Sequence, residues 1–76
     1  GGYMYHRKAH VVEAELVSEN EVYKISVVKN KKYPFHAFCV HKETGTVVEQ
    51  ASNQKTHAIH LAETEMKIRI QNGECV

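Results

Sequence analysis

At 76 residues the chain has room for one domain with a thin core, because folding at this size buries only about 60–65% of the unfolded surface. Ten Lys and Arg against nine Glu, no Asp and six His leave a net charge of +1, which excludes a surface that attracts polyanions or polycations as a whole and restricts any such attraction to a local patch. Two cysteines, Cys39 and Cys75, are too few for the dense disulfide framework of a secreted mini-domain, so reduced thiols and a cytoplasmic setting are expected.

Residues 1–3, which open with Gly1-Gly2, read as a cloning scar ahead of a natural start at Met4. No apolar run reaches the ~18 residues that span a bilayer, so no membrane partner is expected. Residues 5–17 fit two templates. As a helix, Tyr5, Ala9, Val12 and Leu16 recur at helical spacing in one narrow stripe; as a strand, Val12, Ala14 and Leu16 alternate with Glu13, Glu15 and Val17. Val11-Val12 and the hairpin that follows favour the strand, with Ser18-Glu19-Asn20-Glu21 as its turn.

From Val22 to Val28 the pattern is plainly that of a strand, with Tyr23, Ile25 and Val27 on one face and Lys24 and Ser26 on the other. A polar loop, Lys29-Asn30-Lys31-Lys32-Tyr33-Pro34, leads to a strand over Phe35–His41. That strand is fairly apolar on both faces, as a central strand is. Lys42-Glu43-Thr44-Gly45 reads as a hairpin loop in which Gly45 supplies a positive φ, and Thr46–Gln50 pairs back as the next strand.

Ser52 suits an N-cap, and no Gly or Pro intervenes before Gly73, which suits the position just past a helix end. Ala58, Ile59, Leu61, Ala62, Met66, Ile68 and Ile70 would share one broad side of that helix, opposite His57, His60, Glu63, Thr64 and Lys67. Met66, Ile68 and Ile70 also alternate with Lys67 and Arg69, so the expectation is a helix from about Asn53 to Glu65, with residues 64–71 either continuing it or forming a short strand.

Chemistry-bearing residues are sparse. His57 and His60 sit at i and i+3, but a zinc site needs three or four ligands, and no CxxC or HExxH accompanies them. Cys39 and His41 project to one side of a strand without an orienting third group or an oxyanion hole. There is no GxxxxGK[ST], GxGxxG or GxSxG, and the lack of Asp removes many metal and general-base arrangements. A non-enzymatic domain with no metal and no cofactor is therefore expected.

One succession of residues has a family counterpart. Tyr23 precedes a strand, Pro34-Phe35-His36 is followed by Phe38, Gly45 lies in the next loop, and Ser52 with Lys55 and Ala58 opens a helix. This order over residues 22–66 resembles the second half of a double-stranded-RNA-binding domain, three strands leading into a helix. The family's lysine pair at the helix start falls here on Asn53-Gln54, and its first helix on the 5–17 segment. A three-strand-plus-helix plan is also similar to the arm-binding domains of mobile-element integrases and to many small phage proteins.

The expected fold is a single α+β domain over 1–76, an antiparallel sheet of three to four strands packed on one face by a C-terminal helix. With the helix on Tyr23, Ile25, Val27, Phe35, Ala37 and Cys39, the opposite face would display Lys24, Ser26, His36, Phe38 and Val40. Two functions suit that surface. In the first, Lys29, Lys31 and Lys32, with Lys24, contact phosphates while Tyr33, Phe35 or His36 stacks on bases. In the second, the domain is a protein-interaction module, a phage- or mobile-element-type regulator or inhibitor or a homodimer, acting through an apolar sheet face or a strand edge.

Overall fold

In a computed structural model, which describes residues 14–30 and 33–74, the chain forms four strands and then one helix. The strands are β1 (Ala14–Glu19), β2 (Tyr23–Asn30), β3 (Tyr33–His41) and β4 (Val47–Ser52), and the helix is α1 (Lys55–Gln71). Each strand pairs antiparallel with its neighbour in the chain, giving one sheet in the order β1-β2-β3-β4 and confirming the expected α+β plan.

The turns explain themselves locally. Asn20 Oδ1 accepts the backbone N–H groups of Val22 and Tyr23, both at 2.8 Å, a side-chain turn that reverses the chain between β1 and β2. The turn therefore sits at Asn20 to Val22, and Ser18 and Glu19 belong to β1, two residues that the sequence pattern assigns to the turn. Between β3 and β4, Gly45 takes φ +78 and its N–H donates to the His41 carbonyl at 2.9 Å.

Strand alternation sends Tyr23, Ile25 and Val27 of β2, Ala37 and Cys39 of β3 and Val48 of β4 to one face, where all are buried. The helix covers that face with Ala58, Ala62 and Met66, each fully buried, while Phe35, Ile59 and Ile70 pack around them. Alanines at the contact let the helix backbone approach closely, and the unbranched Met66 fills the remaining irregular space. Full burial of a side chain the size of Ile25 stabilises by about 1.5–3 kcal/mol, a large share for so small a core.

The helix differs from its sequence-based limits at both ends. It continues to Gln71, so residues 64–71 extend the helix and form no strand. Glu63–Lys67 at 3.8 Å and Glu65–Arg69 at 2.7 Å are helical i,i+4 pairs, and Met66 and Ile70 both turn inward one turn apart, which a strand would not need. At its start Ser52 is the last residue of β4, and the cap position belongs to Gln54, whose side chain makes no capping bond. Ser52 Oγ instead accepts the Gln54 N–H at 3.2 Å and lies 2.8 Å from His57 Nδ1. Beyond Asn72, Gly73 at φ +75 returns its N–H to Ile70 and Glu74 to Arg69, closing the end as a Schellman motif.

Of the ambiguous 5–17 segment, Ala14 to Val17 form part of β1, and residues 5–13 lie outside the described residues. The helix that the RNA-binding resemblance requires there does not extend into 14–17.

Candidate binding surface

Side chains that alternate away from the helix form the uncovered face of the sheet. The strand register arranges them in three rows: Ala14, Val28, His36 and Ala51; Leu16, Ser26, Phe38 and Glu49; and Glu19, Lys24, Val40 and Val47. Val40 lies directly opposite Val47, Phe38 stands two residues along β3 from Val40, and Leu16 lies in the Phe38 row across Ser26. Leu16 and Val47, on the two edge strands, are half exposed, at 55% and 50%, while Phe38 and Val40 between them are half-buried.

The charges on this face are balanced. His36 Nδ1 lies 2.9 Å from Glu49 Oε2, and Lys42 Nζ lies 2.6 Å from Glu19 Oε2. The hydrogen bond from Lys42, and then its charge, hold the Glu19 carboxyl below the ordinary carboxylate value, with Lys24 adding to the effect. Lys24 itself stands directly opposite Glu19 in the ladder.

Of the residues expected to meet nucleic acid, those described do not share one face. Two register shifts interrupt the sheet, one at Val17 in β1 and one between β2 and β3, where Pro34 and Phe35 of β3 oppose the single residue Lys29 of β2. At the second, Lys29 falls out of the ladder and its ammonium sits 5.3 Å from the centre of the Phe35 ring. Phe35 belongs to the helix-covered face, its ring partly buried against the core. His36 lies on the opposite face, and Lys24 lies near the other end of β2. The structure thus joins Lys29 with Phe35 and separates both from His36 and Lys24. Lys31 and Lys32 lie outside the described residues, as does the Tyr33 side chain.

The remaining cations near the core already have anionic partners: Lys55 bonds Glu15 at 2.8 Å, and Lys67 and Arg69 bond the helix's own glutamates. Cys39 is completely buried under the helix. The Nδ1 atom of His41, also buried, accepts the Thr44 N–H at 3.4 Å and lies 3.1 Å from its hydroxyl. Among the described residues no group of three or more His, Cys or Glu could hold a metal ion, and no helix is long and apolar enough to cross a membrane.

Sequence patterning found Phe38 and Val40 on the uncovered face but missed Leu16, Val28 and Val47. The signal for them was available in the alternation of Leu16 with Glu15 and Val17, and of Val47 with Val48, once β1 and β4 are taken as flanking strands. No protein-family model, no curated protein and no solved structure matches this chain.

Proposed function

We propose that this domain is a non-enzymatic protein-interaction module that docks an apolar protein surface onto its uncovered sheet face. The observation that carries this reading is the contiguous set Phe38, Val40 and Val47, with Leu16 nearby, on a face whose charges are already compensated within the domain. Polyanion binding needs uncompensated cations gathered on one side, and the lysines and arginine near the core are matched with glutamates. A protein partner with an apolar patch requires no such excess, and interface centres are depleted in charge.

The nucleic-acid reading rests on one pair, Lys29 beside Phe35, together with the loop lysines Lys31 and Lys32. One experiment separates the two. A ¹⁵N chemical-shift titration with short single- and double-stranded DNA and RNA at ~50 and ~200 mM salt is expected to leave the spectrum unchanged, because phosphate-driven binding would appear at the lower salt and weaken at the higher. Salt-sensitive shifts on Lys29 to His36 that vanish in a Lys29→Glu, Lys31→Glu, Lys32→Glu variant would overturn the protein-binding reading. In affinity capture, Phe38→Glu and Val40→Glu should each abolish retention of a partner held by the unmodified domain, while the triple lysine variant retains it.

A further inference from the structure

Residues 1–13 precede β1, and Ala14, the first residue of that edge strand, stands in the outermost row of the face that α1 leaves uncovered. The segment therefore arrives at one corner of that face. Leu16, two residues on and turned to the same side, is at 55% the most exposed large apolar residue described. Strands stand about 4.8 Å apart and rise about 3.3 Å per residue, which puts Phe38 about 12 Å and Val40 about 16 Å from Ala14 across the sheet. Residues 4–12 span about 14 Å as a helix and about 30 Å as a strand, so they reach both side chains in either form.

The residues of the segment suit the surface they meet. At helical spacing Met4, Tyr5, Ala9, Val11 and Val12 fall within one half of the circumference together with Lys8, while His6, Arg7, His10 and Glu13 take the other half. Such a segment can bury its apolar side against Leu16, Phe38 and Val40 and keep its remaining polar side chains in water.

Charge favours the same occupant. The segment carries Arg7 and Lys8 with two histidines against one acid, Glu13. At the end of the sheet farthest from Ala14, three carboxylates, Glu19, Glu21 and Glu43, stand against Lys24 and Lys42. Glu21 and Glu43 lie in the two hairpin turns there, exposed, and neither has an ion pair among the described residues. A second copy of this face would bring the same carboxylates, whereas the segment brings cations. Joined to β1, the segment also meets the face at an effective concentration on the order of 1 mM, above that of a free partner in dilute solution.

We infer that residues 4–12 of this same chain lie across the uncovered face, from Ala14 toward the far hairpin turns, with Val12 against Leu16 and Tyr5 against Phe38 and Val40. Val47, one strand farther on, stays at the margin. The segment thereby holds the face until a partner displaces it. Only that competition rests on the docking reading above; the coverage itself does not.

Nuclear Overhauser contacts in the full chain test it. Isotope-edited spectra should show the Tyr5 ring and the Val12 methyls close to the Leu16, Phe38 and Val40 side chains, and a mixture of labelled and unlabelled chains should show no such contact between copies. A Tyr5→Glu, Val12→Glu variant should shift the Phe38 and Val40 signals and leave those of Ala58 and Ala62, buried under the helix, in place. The same variant should raise retention of a partner in proportion to the fraction of the face released. Absence of the contacts in the unmodified chain overturns the inference, as do contacts from Tyr5 to α1 or between copies; the docking reading survives all three. Contacts that are present while the variant retains no partner sink the docking reading and leave the coverage in place.

Discussion

The two faces of this sheet are made by the same strands, often by adjacent residues, yet one is sealed and the other is not. Ile25 and Cys39 vanish beneath the helix, while Val40 and Val47, as apolar as their neighbours, remain at the surface. The helix-covered side has Tyr23, Ile25, Val27, Ala37, Cys39 and Val48 against two alanines and a methionine, a full complement for one helix. The other side has a similar fraction of apolar residues and nothing described above it. Two faces nearly alike in composition thus differ in that described residues cover only one of them.

The largest effect should come from breaking the sealed face. Met66→Ala removes the one long side chain that the helix buries completely, and cavity formation at such a site costs about 2–5 kcal/mol. A domain this small holds about 4–11 kcal/mol in all, so urea unfolding should detect either a large drop in midpoint or the loss of the transition.

A smaller and more informative effect lies at the boundary of the same face. The Tyr23 hydroxyl donates to Glu63 Oε2 at 2.7 Å, and Tyr23→Phe should cost about 0.5–1.5 kcal/mol. Burial first, and then this hydrogen bond, raise the Tyr23 pKa above its ordinary 10.0, so the folded state holds the phenolic proton more tightly than the unfolded chain does. The contribution is complete below that ordinary value and declines as pH rises past it. Thermal melts across alkaline pH should therefore fall more steeply for the unmodified protein than for Tyr23→Phe; parallel curves would remove Tyr23 as the cause.

The smallest effect is expected on the uncovered face. Val47→Ser changes a side chain already half in water and should shift stability by no more than about 0.5 kcal/mol. A loss comparable with that of Met66→Ala would mean that Val47 is buried in solution, and the contrast between the faces would fail.

Much of this contrast was legible in the sequence, for a physical reason. The strict alternation of Tyr23, Ile25 and Val27 with Lys24 and Ser26 can only be a strand with one buried side, and Phe38 and Val40 follow from the same logic on β3. The helix end was ambiguous because Met66, Ile68 and Ile70 fit a period of two as well as one of 3.6. The acid-to-base pairs Glu63–Lys67 and Glu65–Arg69 were the better guide, because they make sense only on a helix. The facing of the residues around the basic loop was hidden for a different reason. Closeness in sequence says nothing about facing, so His36 and Phe35, adjacent in the chain, point to opposite sides, and the register shift opposite Lys29 is invisible until β2 and β3 are paired.

The two ends of α1 leave the helix with a polarity of strength. Its C-terminal end is sealed by backbone bonds through Gly73 and carries Arg69 in the last turn, where a cation is favoured. Its N-terminal end has no side-chain cap and no acidic residue in the first turn, and Lys55 stands there against the positive end of the peptide dipoles, restrained by its tether to Glu15. The chain therefore enters the helix from the sheet through the helix's weaker end. Opening fluctuations should begin at the junction with β4 and travel toward Gly73, so that the connection between the two layers loosens before the helix itself melts.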